Sequence, residues 1–176
     1  MTITIHELLI DTAVQMLGTL SHLLDKAAEH AAARKFEVSA LVHARLAPDM
    51  FPLATQIYLA CQQARDGVAR LTGQAPVATE RVAEDFEQLR ARIRATVAYL
   101  QEVPRTAFDG AEQRAITITV NPQLALAMTG FEMLRDWTLP HLYFHVVTAY
   151  DILRAAGVEI GKRDYVPHVA RYVRAV

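Results

Sequence analysis

A single cysteine, Cys61, is all that the 176 residues contain, so an intramolecular disulfide is excluded. That usage suits a reducing, cytoplasmic compartment. The chain also lacks an excess of charge. Eighteen basic residues face nineteen acidic ones, for a net charge of −1, and no long block carries one sign. Neither nucleic acid nor an anionic membrane surface is therefore expected as a partner. A membrane-spanning run is missing too. The longest uncharged stretch, Ala115 to Phe131, is interrupted at Asn121-Pro122 and is shorter than the ~20 apolar residues that a spanning helix needs. The opening MTITIHELLIDTAVQ has no basic leader, and Glu7 and Asp11 stand where a signal peptide requires unbroken apolar residues. No internal repeat, low-complexity tract or linker divides the sequence, and one domain over residues 1–176 is expected.

What the chain does have is apolar content, 52 % of residues, enough to fill one core without covalent staples. From about Ile5 to Lys35, Ile5, Leu8, Leu9, Met16, Leu20, Leu23, Leu24 and Ala27 recur at helical spacing, with Asp25, Lys26 and Glu29 off the stripe. One long helix is expected there. Val38 to Pro48 reads as a connector with a short helical turn near Ser39 to Arg45. Asp49 stands as N-cap of a second helix, whose stripe is Phe51, Ala54, Ile57, Cys61, Ala64, Val68 and Leu71, with Pro52 in its first turn. Gly73 and Pro76 end it. A third helix begins at Thr79 and carries Val82, Phe86, Leu89, Ile93, Val97 and Leu100. Its acids, Glu84, Asp85 and Glu87, precede its arginines, Arg90, Arg92 and Arg94, as the helix dipole favours, and Pro104 stops it.

The period then changes. Ile116, Ile118 and Val120 alternate with threonines, Asn121-Pro122 supplies a turn, and Leu124, Leu126 and Met128 alternate with alanines. This predicts a β-hairpin over Ala115 to Met128, with one apolar face against the helices. Thr129 caps a short helix through Phe131, Leu134 and Trp137. Pro140 opens a fourth long helix, with stripe Leu142, Val146, Ala149, Ile152, Leu153 and Ala156, and Gly157 closes it. GVEIGKRDY reads as a loop, with Lys162, Arg163 and Asp164 in solvent. Four amphipathic helices bury their stripes most simply as an all-α, antiparallel four-helix bundle, with the hairpin inserted before the last helix.

Two segments carry a family resemblance: ARLAPDMFPLATQ (Ala44 to Gln56) and LPHLYFHVVTAYDILRAAGVEIGKRDY (Leu139 to Tyr165). With the spacing between them, nearly the whole chain resembles the bacterial domain-of-unknown-function family DUF1993, which is grouped with the DinB-like four-helix bundles. That resemblance implies a fold and no particular activity. Many DinB-like proteins share a metal site of three histidines, one from the second helix and two from the fourth with three residues between them. Some of those proteins are transferases or isomerases that use a small cellular thiol. His141 and His145 match the fourth-helix pair. The second-helix stretch, Met50 to Leu71, has no histidine, and His43 lies ahead of it.

His141 and His145 are four residues apart and share a helix face. That spacing clamps one zinc or nickel ion in HExxH helices, but no glutamate lies between these two, and zinc sites use three or more protein ligands. No tight metal and no other cofactor is therefore expected. A divalent metal, zinc or nickel, is the alternative, held by His141, His145 and His43, or with Asp49 as an oxygen ligand. The competing reading is a structural histidine hydrogen-bonded inside the core. Asp49 either only caps a helix or faces His145 and orients it. Arg45 pairs with Asp49 or another acid, or binds an anion. Gln56 and Tyr150 complete the candidate ligand-binding set of His145, His141, Asp49, Arg45, Gln56 and Tyr150. Cys61, on the second stripe, reads as an inert buried thiol. Three functions follow as alternatives: a bundle that binds a small molecule near His145 and Asp49, a non-catalytic structural or interaction protein, or the metal-dependent thiol chemistry implied by the resemblance. Apolar residues left over by the bundle, Tyr143 and Trp137 among them, make a two-fold homodimer the expected assembly.

Overall fold

The computed structural model describes residues 3–79 and 85–174. Helix α1 spans Ile5–Arg34 and buries the expected stripe, with Leu8 half-buried at its edge. A capping box starts it: the Thr4 hydroxyl accepts from the Glu7 amide, and the Glu7 carboxylate accepts from the Thr4 amide at 3.0 Å. Lys35, in the left-handed region at φ 57°, ends it.

After the short α2 (Ser39–Val42), helix α3 spans Leu53–Leu71 and is not capped by Asp49. The N-cap is Pro52, whose extended backbone (ψ 168°) leaves its carbonyl to accept from the Gln56 amide at 3.1 Å. The turn at 47–50 closes on its own hydrogen bond, Met50 N–H to the Ala47 carbonyl, and keeps Asp49 exposed, outside the helix. Helix α4 spans Phe86–Glu102, so the expected start at Thr79 is also corrected. Asp85 and Gln88 form its capping box, a signal that overrides apolar periodicity upstream. Thr79 is extended, held by the Gln62 side chain, and Val82 and Glu84 lie outside the described residues.

The hairpin forms as the alternation predicts. Strand β1 (Ala115–Asn121) pairs antiparallel with β2 (Leu124–Thr129), Ile116 opposite Met128 and Ile118 opposite Leu126, with an irregularity between Thr119 and Asn121. Ile116 and Ile118 enter the core, while Val120 and Leu124 at the tip remain exposed. Arg70 and Arg114 donate to the Thr117 and Leu71 carbonyls, fixing the hairpin to the end of α3. Thr129 caps the next helix, reciprocally with Glu132, as expected. The first turn there, α5 (Gly130–Glu132), lies so close to Ala111 that a Cβ on residue 130 would collide with the Ala111 carbonyl.

Sequence reading places a break before Pro140, and none occurs. A π-helical stretch, Met133–Thr138, joins α5 directly to α6 (Leu139–Ala155). Pro140 has no amide hydrogen, and its ring crowds the carbonyl four residues back; a widened turn relieves both effects without ending the helix. Gly157, at φ 92°, closes α6. In the following loop Lys162 and Arg163 are exposed, as expected, and Asp164 is half-buried. The loop ends in a short helix, α7 (Lys162–Tyr165), where Asp164 meets the His22 ring at 2.9 Å and the Tyr165 carbonyl accepts from Thr19.

The chain is mainly helical with this one small sheet. Helix α1 packs against α4 and α6, and α3 packs against the same two. Leu9, Leu17, Leu20, Leu53, Ile57, Leu89 and Ile93 are fully buried between them, each worth roughly 1.5–3 kcal/mol of transfer free energy. No helix among the described residues is long and apolar enough to cross a membrane.

Candidate functional site

The contact between α3 and α6 is the most extensive between any two helices, and it is where the polar residues of interest meet. His145 is buried on the inner face of α6 beside Leu142, Val146 and Ala149. Its Nδ1 lies 2.8 Å from Gln56 Oε1, on the first turn of α3. The Gln56 amide nitrogen donates to the Phe51 carbonyl at 3.1 Å, so its oxygen must accept. His145 Nδ1 therefore carries the proton, and Nε2 has the lone pair. Burial, with neighbouring His141 adding to it, pushes the His145 pKa down to about 4. The ring is neutral at pH 7.

His141 stands one turn earlier and is half-buried. Its Nδ1 lies 2.6 Å from the Trp137 carbonyl, which can only accept, and its ring packs on Trp137 at 4.3 Å between centroids. Here too Nδ1 carries the proton, so Nε2 is the acceptor in the neutral form of the ring. Trp137 itself lies in the π-helical stretch. The two imidazoles thus share one helix face, each hydrogen-bonded through Nδ1, and neither Nε2 has a partner among the described residues. The buried unpartnered nitrogens lie elsewhere: His6 Nδ1, Arg90 Nε and His168 Nδ1.

The other candidates are not brought to this place. Asp49 is exposed on its turn and makes no hydrogen bond or ion pair to His145 among the described residues. An acid facing the ring would also raise its pKa, and the shift is downward. Gln56 holds the orienting position instead. Arg45 is exposed and donates to the Pro48 carbonyl at 3.3 Å, not to Asp49. His43 is exposed at the end of α2. Tyr150 packs edge-on to Tyr165, 6.1 Å between centroids, at the α7 end. Cys61 is buried, as a structural thiol should be.

These positions do not fit a three-histidine metal centre. No group of three or more histidine, cysteine or acidic side chains able to hold an ion occurs among the described residues. The residue on α3 that faces His145 is Gln56, and both ends of its amide are already engaged.

Several features had no local signal in the sequence. His22 and Asp164 are 142 positions apart and meet only through the fold. The Gln62 side chain accepts from Thr79 and donates to the Val77 carbonyl and to Asp66, whose pKa is raised by burial. A mainly apolar groove of about 300 Å³ lies between Leu8 of α1 and the segment from α5 to α6, where Phe131, Leu134, Arg135, Leu139, Pro140 and Tyr143 line it. His145 does not line it.

The family profile "Domain of unknown function (DUF1993)" matches residues 5–166, and the chain belongs to that family. It is similar to a DinB family member protein from Shewanella denitrificans, known from a crystal structure: 38 % identity, a TM-score of 0.82, and coverage of 92 % of this chain and 90 % of that one. No protein of curated function matches.

Proposed function

We propose that this DUF1993 member is a ligand-binding module built on an antiparallel four-helix bundle, and that His141 and His145 receive the ligand through their two Nε2 atoms. The observation that carries this reading is the pair of Nδ1 hydrogen bonds. Gln56 and the Trp137 carbonyl hold both rings in one tautomer, the arrangement that turns an imidazole into a fixed acceptor. A ligand with a hydroxyl, thiol or amide donor matches that chemistry.

Magnitude favours binding over acid–base catalysis. A general base works best near the operating pH, and a group with a pKa of about 4 lies roughly 3 units short at neutrality. His145 is suited to accepting a hydrogen bond and poorly suited to taking the proton. Metal-dependent thiol chemistry is less well supported, since no third ligand stands beside the pair among the described residues.

The test is an NMR titration of the ¹⁵N-labelled protein with small thiols, alcohols and amides. Binding that moves the Nε2 resonances of His141 and His145, and that His141→Ala and His145→Ala each weaken, is the expected result. Probes that bind only elsewhere, with both imidazoles undisturbed, would remove the proposal.

A further inference from the structure

A groove of about 420 Å³ lies between α3 and α4, and neither His141 nor His145 lines it. Arg65 comes from α3, Gln88, Ala91, Arg92 and Ala95 come from α4, and Thr79 stands at the edge. Tyr58, Gln62 and Arg65 step along one face of α3, and Gln88, Arg92 and Tyr99 along one face of α4. The Arg65 guanidinium lies over the Tyr99 ring, 4.1 Å from its centroid, and the Arg92 guanidinium over the Tyr58 ring at 5.1 Å. Each arginine of one helix is thus stacked on a tyrosine of the other. A guanidinium held by its flat face keeps its orientation, and the N–H groups in its plane remain able to bond.

The polar groups of this groove differ in what they have left to give. Arg92 donates to the Thr79 hydroxyl at 3.0 Å, and that hydroxyl donates to the Gln62 oxygen at 2.8 Å. The Thr96 hydroxyl donates to the Arg92 carbonyl at 2.9 Å. The Gln88 oxygen accepts from the Asp85 amide at 2.8 Å, which leaves its NH2 group to donate. Arg65 makes no hydrogen bond and no ion pair among the described residues. Asp66, next to it in sequence, accepts from the Gln62 amide at 2.6 Å, and Arg70 acts on its carboxylate more strongly than Arg65 does. No acidic side chain lines the groove among the described residues. Two like charges share this groove, and the groups with hydrogens still to give are the Arg65 fork and the Gln88 amide. Such a set calls for an acceptor of negative charge.

We propose that the groove binds a small organic oxyanion. Its carboxylate or phosphate takes paired hydrogen bonds from the Arg65 fork and one more from the Gln88 amide. Arg92 adds charge, and Ala91 and Ala95 carry the apolar body. The volume falls within the ~300–1,000 Å³ of ordinary small-molecule sites. Arginine, unlike lysine, grips such head groups two bonds at a time. The site is independent of what His141 and His145 bind.

Titration of the ¹⁵N-labelled protein with benzoate and with phenyl phosphate tests the proposal. The two share an apolar ring and differ in the head group, and sodium chloride at matched ionic strength is the blank. Saturable millimolar shifts of the Arg65 Nε–H and of the Ala91 and Ala95 amides are expected with at least one of them, and the one that binds identifies the head group. Arg65→Gln weakens that binding about tenfold or more. Arg94→Gln, which removes an exposed arginine of α4 outside the groove, leaves it unchanged. Arg65→Lys keeps the charge and loses the fork; it provides a second variant should Arg65→Gln not fold, and binding falls there too. Absence of saturable shifts with both anions overturns the proposal. So does binding that chloride reproduces, that the Arg65 variants retain in full, or that Arg94→Gln weakens as much, since the general charge of the surface would then be its cause.

Discussion

Gln56 and His145 are 89 positions apart and share a hydrogen bond of 2.8 Å inside the α3–α6 contact. That bond fixes which nitrogen of the imidazole is the acceptor, and the burial around it fixes the charge.

The pH dependence of stability has a definite sign. The folded-state pKa of His145, about 4, lies below the ordinary value of 6.5. Between these values the unfolded chain binds a proton that the folded chain does not. Stability therefore falls as pH drops from 6.5 towards 4, by up to about 3 kcal/mol from this group alone. Denaturant melts across that window check it. In His145→Phe this part of the slope disappears, and a variant with an unchanged slope would show that another group causes it.

Truncating Gln56 strands a buried donor. Gln56→Leu leaves the His145 Nδ1–H without a partner, at a cost of about 1–3 kcal/mol by chemical denaturation. Gln56→Glu replaces the amide with a carboxylate and moves the His145 pKa upward. A histidine titration followed by NMR reads that shift, and no change would mean that the two side chains do not touch in solution.

Gly130 is required by close approach and not by backbone conformation. Gly130→Ala drives a methyl group into the Ala111 carbonyl, and a loss of about 1–3 kcal/mol is expected. Gly18, where an added Cβ meets nothing, is the control: Gly18→Ala gains up to about 1 kcal/mol, since alanine is the better helix former. Equal melting temperatures for the two variants would contradict the packing described at the start of α5.

Metal content discriminates between the readings of the histidine pair. Two imidazoles leave most of a zinc ion's coordination to water. Elemental analysis of untagged protein is expected to find well under one equivalent of zinc or nickel. About one equivalent in the parent, lost in His145→Ala, would restore the metal centre as the leading function.

Much of this architecture was legible from spacing alone. The stripes of α1, α3 and α6 and the alternation of the hairpin are local patterns, and most of their apolar residues are buried, whereas Phe51, Val120, Leu124 and Ala156 at their ends are exposed. Helix starts were less legible. Asp49 looks like a cap because it follows Pro48, yet Pro52 holds the backbone extended until Leu53. Thr79 looks like a start, yet Asp85 and Gln88 complete the box six residues later. Pro140 looks like a first-turn proline, yet a π-helical stretch carries the helix through it. At the site, the spacing of His141 and His145 gave the pair but not their partners. Gln56 is one of several polar residues on α3, and only the fold shows that it, and not Asp49, faces His145.

Long-range ¹H–¹⁵N correlation on labelled protein reads the protonation state of His145 at pH 7, with His145→Phe assigning the signal. A neutral ring with the proton on Nδ1 and an unprotonated Nε2, unchanged down to about pH 5, is expected. An imidazolium at pH 7, or a neutral ring protonated on Nε2, would contradict it.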